Sequence, residues 1–130
     1  MTPNPLTRAI VLIDHGSRRA EANEQLEQLA AKIRQREPDT IVRTAHLEIA
    51  APSLAEAIDD CVKEGARVLV VHPYFLAPGR HTSEDIPRQV AEASARHPEL
   101  EVRLSPPLGI HDKLVDVVLE RVHQSEKLPP

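Results

Sequence analysis

Two histidines stand where apolar runs end and glycine-bearing loops begin: His15 in Ile13-Asp14-His15-Gly16-Ser17, and His81 in Pro78-Gly79-Arg80-His81. A neutral imidazole is both a ligand for a borderline divalent metal and a proton acceptor near neutral pH. A pair of them facing one cleft can hold an ion and take up protons released beside it. Arg18, Arg19 and Arg80 lie next to these histidines, so an anionic small molecule can find a local positive pocket even on an acidic protein.

The chemistry depends on elements that bring the two loops together. Ala9 to Asp14 is a continuous, β-branched apolar run, the pattern of a parallel strand covered on both faces. Ala22, Leu26, Leu29, Ala30 and Ile33 recur at helical spacing and predict a helix from Arg19 to Arg36, with Pro38 at its exit. Ile41 to Leu47 reads as a second strand. Pro52 and the spacing Ser53-x-x-Glu56 then open a helix carrying Leu54, Ile58, Cys61 and Val62, which Gly65 closes. A third strand runs from Arg67 to about Val71, and Pro73 opposes its extension towards Phe75. Ser83, Glu84 and Asp85 offer a cap and first-turn acids for a third helix, in which Pro87 is early enough to be tolerated. Glu101 to Leu104 is a short fourth strand. A last helix from His111 to His123 carries Leu114, Val115, Val118, Leu119 and Val122.

Strands alternating with helices predict an α/β fold: an open parallel four-stranded sheet in the order 2-1-3-4, with helices on both faces, a flavodoxin-like half-unit. Residues 9–124 form its single domain, between a loose leader at 1–8 and a tail at 125–130. That order sets the first and third strands side by side, with the ligand crevice outside their C-terminal ends. His15 and His81 leave from those ends. Glu48, at the end of the second strand, then falls about one strand spacing from His15, roughly 5 Å at the backbone.

The remaining histidines carry weaker signals. His46 shares a strand face with Glu48, and His72 interrupts an apolar run, where burial demands a hydrogen-bond partner. His111, after Gly109, emerges at the ligand edge as a substrate contact. His97 and His123 sit at helix ends, where a helix dipole is the simplest partner.

Composition narrows the class. With 130 residues, 41 % apolar and 28 % charged, the chain has material for one compact domain and is neither a membrane protein nor disordered. A formal charge of −4 and 2 % aromatic content argue against a nucleic-acid surface. Met1 to Arg8 holds no long apolar stretch, so a cytoplasmic address is expected. Cys61, the single cysteine, permits no disulfide within the chain and reads as a small buried hydrophobe. No Cys-x-x-Cys, His-Glu-x-x-His, P-loop or dinucleotide glycine pattern occurs.

Taken in order, Leu12-Ile13-Asp14-His15-Gly16-Ser17-Arg18, then Leu47-Glu48 with Pro52-Ser53-Leu54, form the first part of a larger pattern. Pro73-Tyr74-Phe75-Leu76 running into Gly79-Arg80-His81, then Asp85-Ile86-Pro87 and Pro107-Leu108-Gly109-Ile110-His111, complete it. The set resembles the short, single-domain sirohydrochlorin chelatases, the class II chelatases that insert cobalt, iron or nickel into a tetrapyrrole, and it spans nearly the whole chain. The resemblance implies a chelatase fold, a homodimer whose halves mimic the two domains of longer members, and metal handling by His15 and His81. Asp14 and His72 depart from the family pattern, which leaves the choice of metal open.

Insertion must strip water from the ion and remove two pyrrole protons. On this reading His15 and His81 share metal delivery and proton abstraction, and Glu48 is an auxiliary acceptor. Ser17, Arg18, Arg19, Arg80 and His111 contact the tetrapyrrole, the arginines through its peripheral carboxylates. Co2+, Fe2+ or Ni2+ is then a substrate, and no permanently bound cofactor is expected. A four-stranded half-shell is small for a macrocycle that needs walls on both sides, so a homodimer with its site at the subunit interface is expected. A non-catalytic carrier of metal or tetrapyrrole on the same fold is the main alternative. A phosphoryl-transfer enzyme with a nucleophilic His15 is disfavoured, because the familiar Arg-His-Gly reads Asp-His-Gly here.

Overall fold

The computed structural model describes residues 7–126, leaving aside the side chains of His81 and Thr82. The elements are β1 (Arg8–Asp14), α1 (Ala20–Arg36), β2 (Ile41–His46), α2 (Leu54–Lys63), β3 (Val68–Pro73), α3 (Ile86–Arg96), β4 (Glu101–Leu104) and α4 (Asp112–Glu126). All strand pairs are parallel and the order is β2-β1-β3-β4, the expected arrangement. The leader and tail expected at the two ends fall largely outside the described residues.

Period-two alternation divides the strands between two cores. On one face Val11, Ile13, Ala45, Leu69 and Val71 pack with Leu54, Ala57, Ile58 and Cys61 of α2 and with Ile86 and Ala93 of α3. On the other, Leu12 and Val42 meet Leu26 and Ala30 of α1, with Ile10, Leu29 and Ile33 around them. Each fully buried aliphatic side chain of this kind contributes roughly 1.5–3 kcal/mol. The capping box is formed: Ser53 Oγ accepts from Glu56 N, and Glu56 Oε1 accepts from Ser53 N. Asp59 on α2 ties down the end of α3, accepting 2.7 Å bonds from Arg96 and from His97 Nε2. His97 thus has a carboxylate partner rather than a helix dipole alone.

The start of α3 differs from the sequence expectation. His81–Asp85 forms a π-helical turn leading into α3. Ser83 does not cap; its hydroxyl donates back to the Gly79 carbonyl at 2.8 Å. A side chain that satisfies an upstream carbonyl in this way continues a helix instead of starting one.

On the α1 side, the helix lies over β2 and β1 and leaves β3 and β4 uncovered. Val68, Val70 and His72 of β3, with Ile10 and Leu12 of β1 and Ile33 of α1, line an open groove of about 460 Å³ there. α4 buries none of its residues and packs against neither face. Among the described residues no helix is long and apolar enough to cross a membrane.

Candidate metal and substrate site

The site is built on the C-terminal ends of β1 and β2. Beyond β2 the pairing with β1 continues for two further bonds: Leu47 N donates to the Asp14 carbonyl at 2.9 Å and Glu48 N to that of His15 at 3.1 Å. Gly16 makes this approach possible. Its φ is +95°, and a Cβ there would lie 2.0 Å from the Glu48 carbonyl oxygen and 3.2 Å from His46 Cβ. Any side chain at position 16 pushes the two loops apart. After Glu48 the chain doubles back through Ile49 (φ 75°), so that Ala50 N reaches the Glu48 carbonyl and His46 N the carbonyl of Pro52, both at 2.8 Å.

The loop after His15 is held from its other side. Asn23 on α1 accepts from Ser17 N at 2.9 Å and donates to the Ser17 carbonyl at 2.7 Å. Ser17 Oγ accepts from Arg19 N at the start of α1.

This backbone brings His15 and Glu48 together, with Nε2 2.9 Å from Oε1. Both side chains are about half exposed, 44 % and 54 %, and so stay open to a ligand. Two donors each about 2.1 Å from one metal ion, at a right angle to one another, lie about 3.0 Å apart. The observed separation matches that spacing, and it is equally the length of a direct N–H···O hydrogen bond between the two groups. Among the described residues no group of three or more His, Cys, Asp or Glu side chains is gathered for a metal.

Directly beneath them is a second pair, which the sequence reading did not join. Asp14 and His46 are register partners across β1 and β2, and His46 Nδ1 lies 2.5 Å from Asp14 Oδ1. The imidazole is 4 % exposed and the carboxylate 21 %. An ionised carboxylate only accepts, so Nδ1 is the donor in this bond. The only signal in the sequence is that Asp14 ends an apolar run; its pairing with His46 depends on a strand register that no local pattern states.

His72 belongs to the structure of the groove. Ser105 Oγ donates to the Pro106 carbonyl at 3.1 Å and accepts from His72 Nδ1 at 2.8 Å. Burial holds the imidazole pKa below its ordinary value, partly offset by a backbone bond to Pro106.

Tyr74 N donates to the Ile13 carbonyl at 2.7 Å, so the β3–α3 loop departs beside that of His15. His81 follows this loop in the π turn; its side chain lies outside the described residues, and its approach to His15 stays an expectation from the sequence. Arg18, Arg19 and Arg80 are exposed on the loops at this edge. His111 is exposed too, its Nδ1 accepting from Lys113 N at 3.1 Å in the first turn of α4. Leu108 N and Gly109 N donate to the carbonyls of Phe75 and Leu76, both at 2.9 Å, which lays the loop before His111 along the β3–α3 loop.

A parallel 2-1-3-4 sheet with an imidazole and a carboxylate converging on its C-terminal edge defines an open α/β domain with a candidate site at its strand ends. The CbiX family model matches residues 9–125, and the chain belongs to the CbiX family. It is 42 % identical over 113 residues to a chloroplastic sirohydrochlorin ferrochelatase of Arabidopsis thaliana, covering 87 % of this chain and 50 % of that protein. It is 32 % identical to a sirohydrochlorin cobaltochelatase of Methanocaldococcus jannaschii, covering 87 % of this chain and 96 % of the other. The fold superposes with a TM-score of 0.86, at 27 % identity, on the sirohydrochlorin chelatase SirB of Bacillus subtilis subspecies spizizenii, solved in complex with cobalt. That match covers 92 % of this chain and 51 % of SirB. The chain thus spans about half the length of the Arabidopsis and Bacillus proteins and nearly all of the Methanocaldococcus one.

Proposed function

We propose that this chain is a sirohydrochlorin chelatase, a lyase-type enzyme that inserts Co2+, Fe2+ or Ni2+ into the macrocycle with release of two protons. The observation that carries the reading is the 2.9 Å approach of His15 Nε2 to Glu48 Oε1 at the open edge of the sheet. Its support from kinship is that relatives of both lengths bear ferrochelatase or cobaltochelatase names.

The ion arrives hydrated and must exchange water for four ring nitrogens. His15 with His81 holds it by replaceable nitrogen donors, since imidazole suits iron, cobalt and nickel. Each pyrrole N–H that meets the ion loses its proton, and Glu48 and the imidazoles are the acceptors within reach. Two protons leave as two metal–nitrogen bonds replace two N–H bonds, and no electron is transferred. Ser17, Arg18, Arg19, Arg80 and His111 border the same edge and engage the substrate's periphery, the guanidiniums through its carboxylates. A single sheet edge walls the ring on one side; a second copy of the chain supplies the other, so the working form is a homodimer with its site between subunits. A cytoplasmic setting fits a chain whose lone cysteine is a buried thiol.

Purified protein mixed with sirohydrochlorin and each ion in turn tests this directly by the absorbance change on insertion. We expect turnover well beyond one equivalent, which a carrier does not give. The His15→Ala/His81→Ala variant should lose at least about a hundredfold in rate, and Glu48→Gln a smaller factor. Rates unchanged in the double variant would reject these roles.

A further inference from the structure

We infer that the buried Asp14–His46 pair positions the site: by clasping the ends of β1 and β2 side chain to side chain, it sets the distance at which His15 and Glu48 meet. This rests on the reaction proposed above, in which neither Asp14 nor His46 has a part.

His15 and Glu48 do not hold each other in place. Both side chains are about half exposed, and an ion pair open to water is worth too little to keep two solvated side chains in one geometry. Groups that act together on a substrate must be held to within about 0.5 Å, which takes better-packed residues beneath them. Asp14 directly precedes His15, and His46 stands just before Leu47 and Glu48. The two form the last register pair of β1 and β2, joined by the 2.5 Å bond from His46 Nδ1 to Asp14 Oδ1. With the imidazole 4 % exposed, this bond is shielded from water as the His15–Glu48 contact is not, and a charge-assisted bond in such surroundings is strong.

Stability alone does not call for such a pair. By strand alternation Asp14 follows Leu12, and His46 follows Val42 and Thr44, on the face that α1 covers. Apolar residues at 14 and 46 would extend that core, and exchanging a buried ionic pair for well-packed apolar side chains is often neutral or stabilising. An apolar pair, however, sets no single distance between the strands. The main chain carries the clasp onward. Leu47 N donates to the Asp14 carbonyl, Glu48 N to the His15 carbonyl, and His46 N to that of Pro52. Each member of the pair is thus tied through both its side chain and its main chain, and the ties lead straight to the residues that bear the site.

The test uses the full chain, with Co2+ and sirohydrochlorin as substrates and circular dichroism to show that each variant is folded at the assay temperature. His46→Leu, which fills the space without a donor, should lower kcat at least about tenfold and leave the KM for sirohydrochlorin within about twofold. His46→Asn, whose amide nitrogen stands in for Nδ1, should restore kcat to within about threefold of the wild type. Where His46→Leu does not fold, Asp14→Ala breaks the same bond from its more exposed side, and where both fold the double variant should lose no more than the worse single one. A crystal structure of the variant that folds should show His15 Nε2 and Glu48 Oε1 parted from 2.9 Å to beyond hydrogen-bond reach. Wild-type kcat in the folded variants, losses that simply add, or an unmoved His15–Glu48 contact would each overturn the positioning role and leave the proposed function standing. A wild-type chain that inserts no ion defeats that function instead, and the crystallographic distance then decides by itself whether the pair positions His15 and Glu48.

Discussion

Gly16 carries more of the site than any charged residue, because its missing side chain is what lets the loop after β1 lie on the carbonyl of Glu48. Gly16→Ala combines a left-handed φ with a 2.0 Å overlap on backbone, and we expect a loss of roughly 3 kcal/mol or more. Urea unfolding measures it. A variant as stable as the parent would show that the turn at 46–48 yields freely. His72 gives a pH signature. Its pKa is lowered in the folded chain by burial, so between that value and the ordinary imidazole value near 6.5 the unfolded chain binds more protons. Stability is then full above about 6.5 and falls as the pH drops through that window. His72→Asn should flatten the loss between pH 7 and pH 5 in urea titrations; an unchanged slope would reject the assignment. At this scale His15 and Glu48 were legible in the sequence, since each closes an apolar run at a strand end. The Asp14–His46 bond was not, because it joins residues from two strands whose register no local pattern states.

Among the elements, those that bury a face by local rules are the ones the sequence foretold. The Ser53-x-x-Glu56 spacing gave the start of α2, and both halves of the capping box are present. Ser53→Ala should cost about 1 kcal/mol in unfolding free energy, and a change within error would mean that packing alone sets the start of α2. The end of α3 rests on Asp59. Its carboxyl is held below the ordinary value of 3.8 by the bond from His97 and then by that from Arg96. A carboxylate lowered in this way stabilises the fold above its unfolded pKa and ceases to do so as the pH falls through its folded one. Asp59→Asn should therefore weaken the protein near neutrality and show a shallower decline in acid, followed by circular dichroism. An equally steep acid decline would rule this out. The π turn at His81–Asp85 was not legible, because Ser83 and the acids after it fit a capped start equally well; the choice is made by the Gly79 carbonyl, which only the folded loop supplies.

For the molecule as a whole, strand alternation was enough to order the sheet. The exposure of α4 was not legible, because its apolar period fits a helix packed on the sheet equally well. If the working site needs two copies, specific activity should rise with protein concentration through the dissociation constant of the dimer, and insertion rates at a series of dilutions will show it. A constant specific activity down to concentrations at which light scattering reports a monomer would contradict the shared site. One last property follows from where Cys61 lies. Turned from α2 into the core, its thiol is pushed up to about 11 by burial, so at neutral pH it presents neither a thiolate nor a path to one. Soft sulfur is the donor that would trap a transition ion in transit. With the protein's one thiol walled off, a metal ion handled as proposed above would meet only the exposed nitrogen and oxygen donors of the sheet edge, from which it can be released.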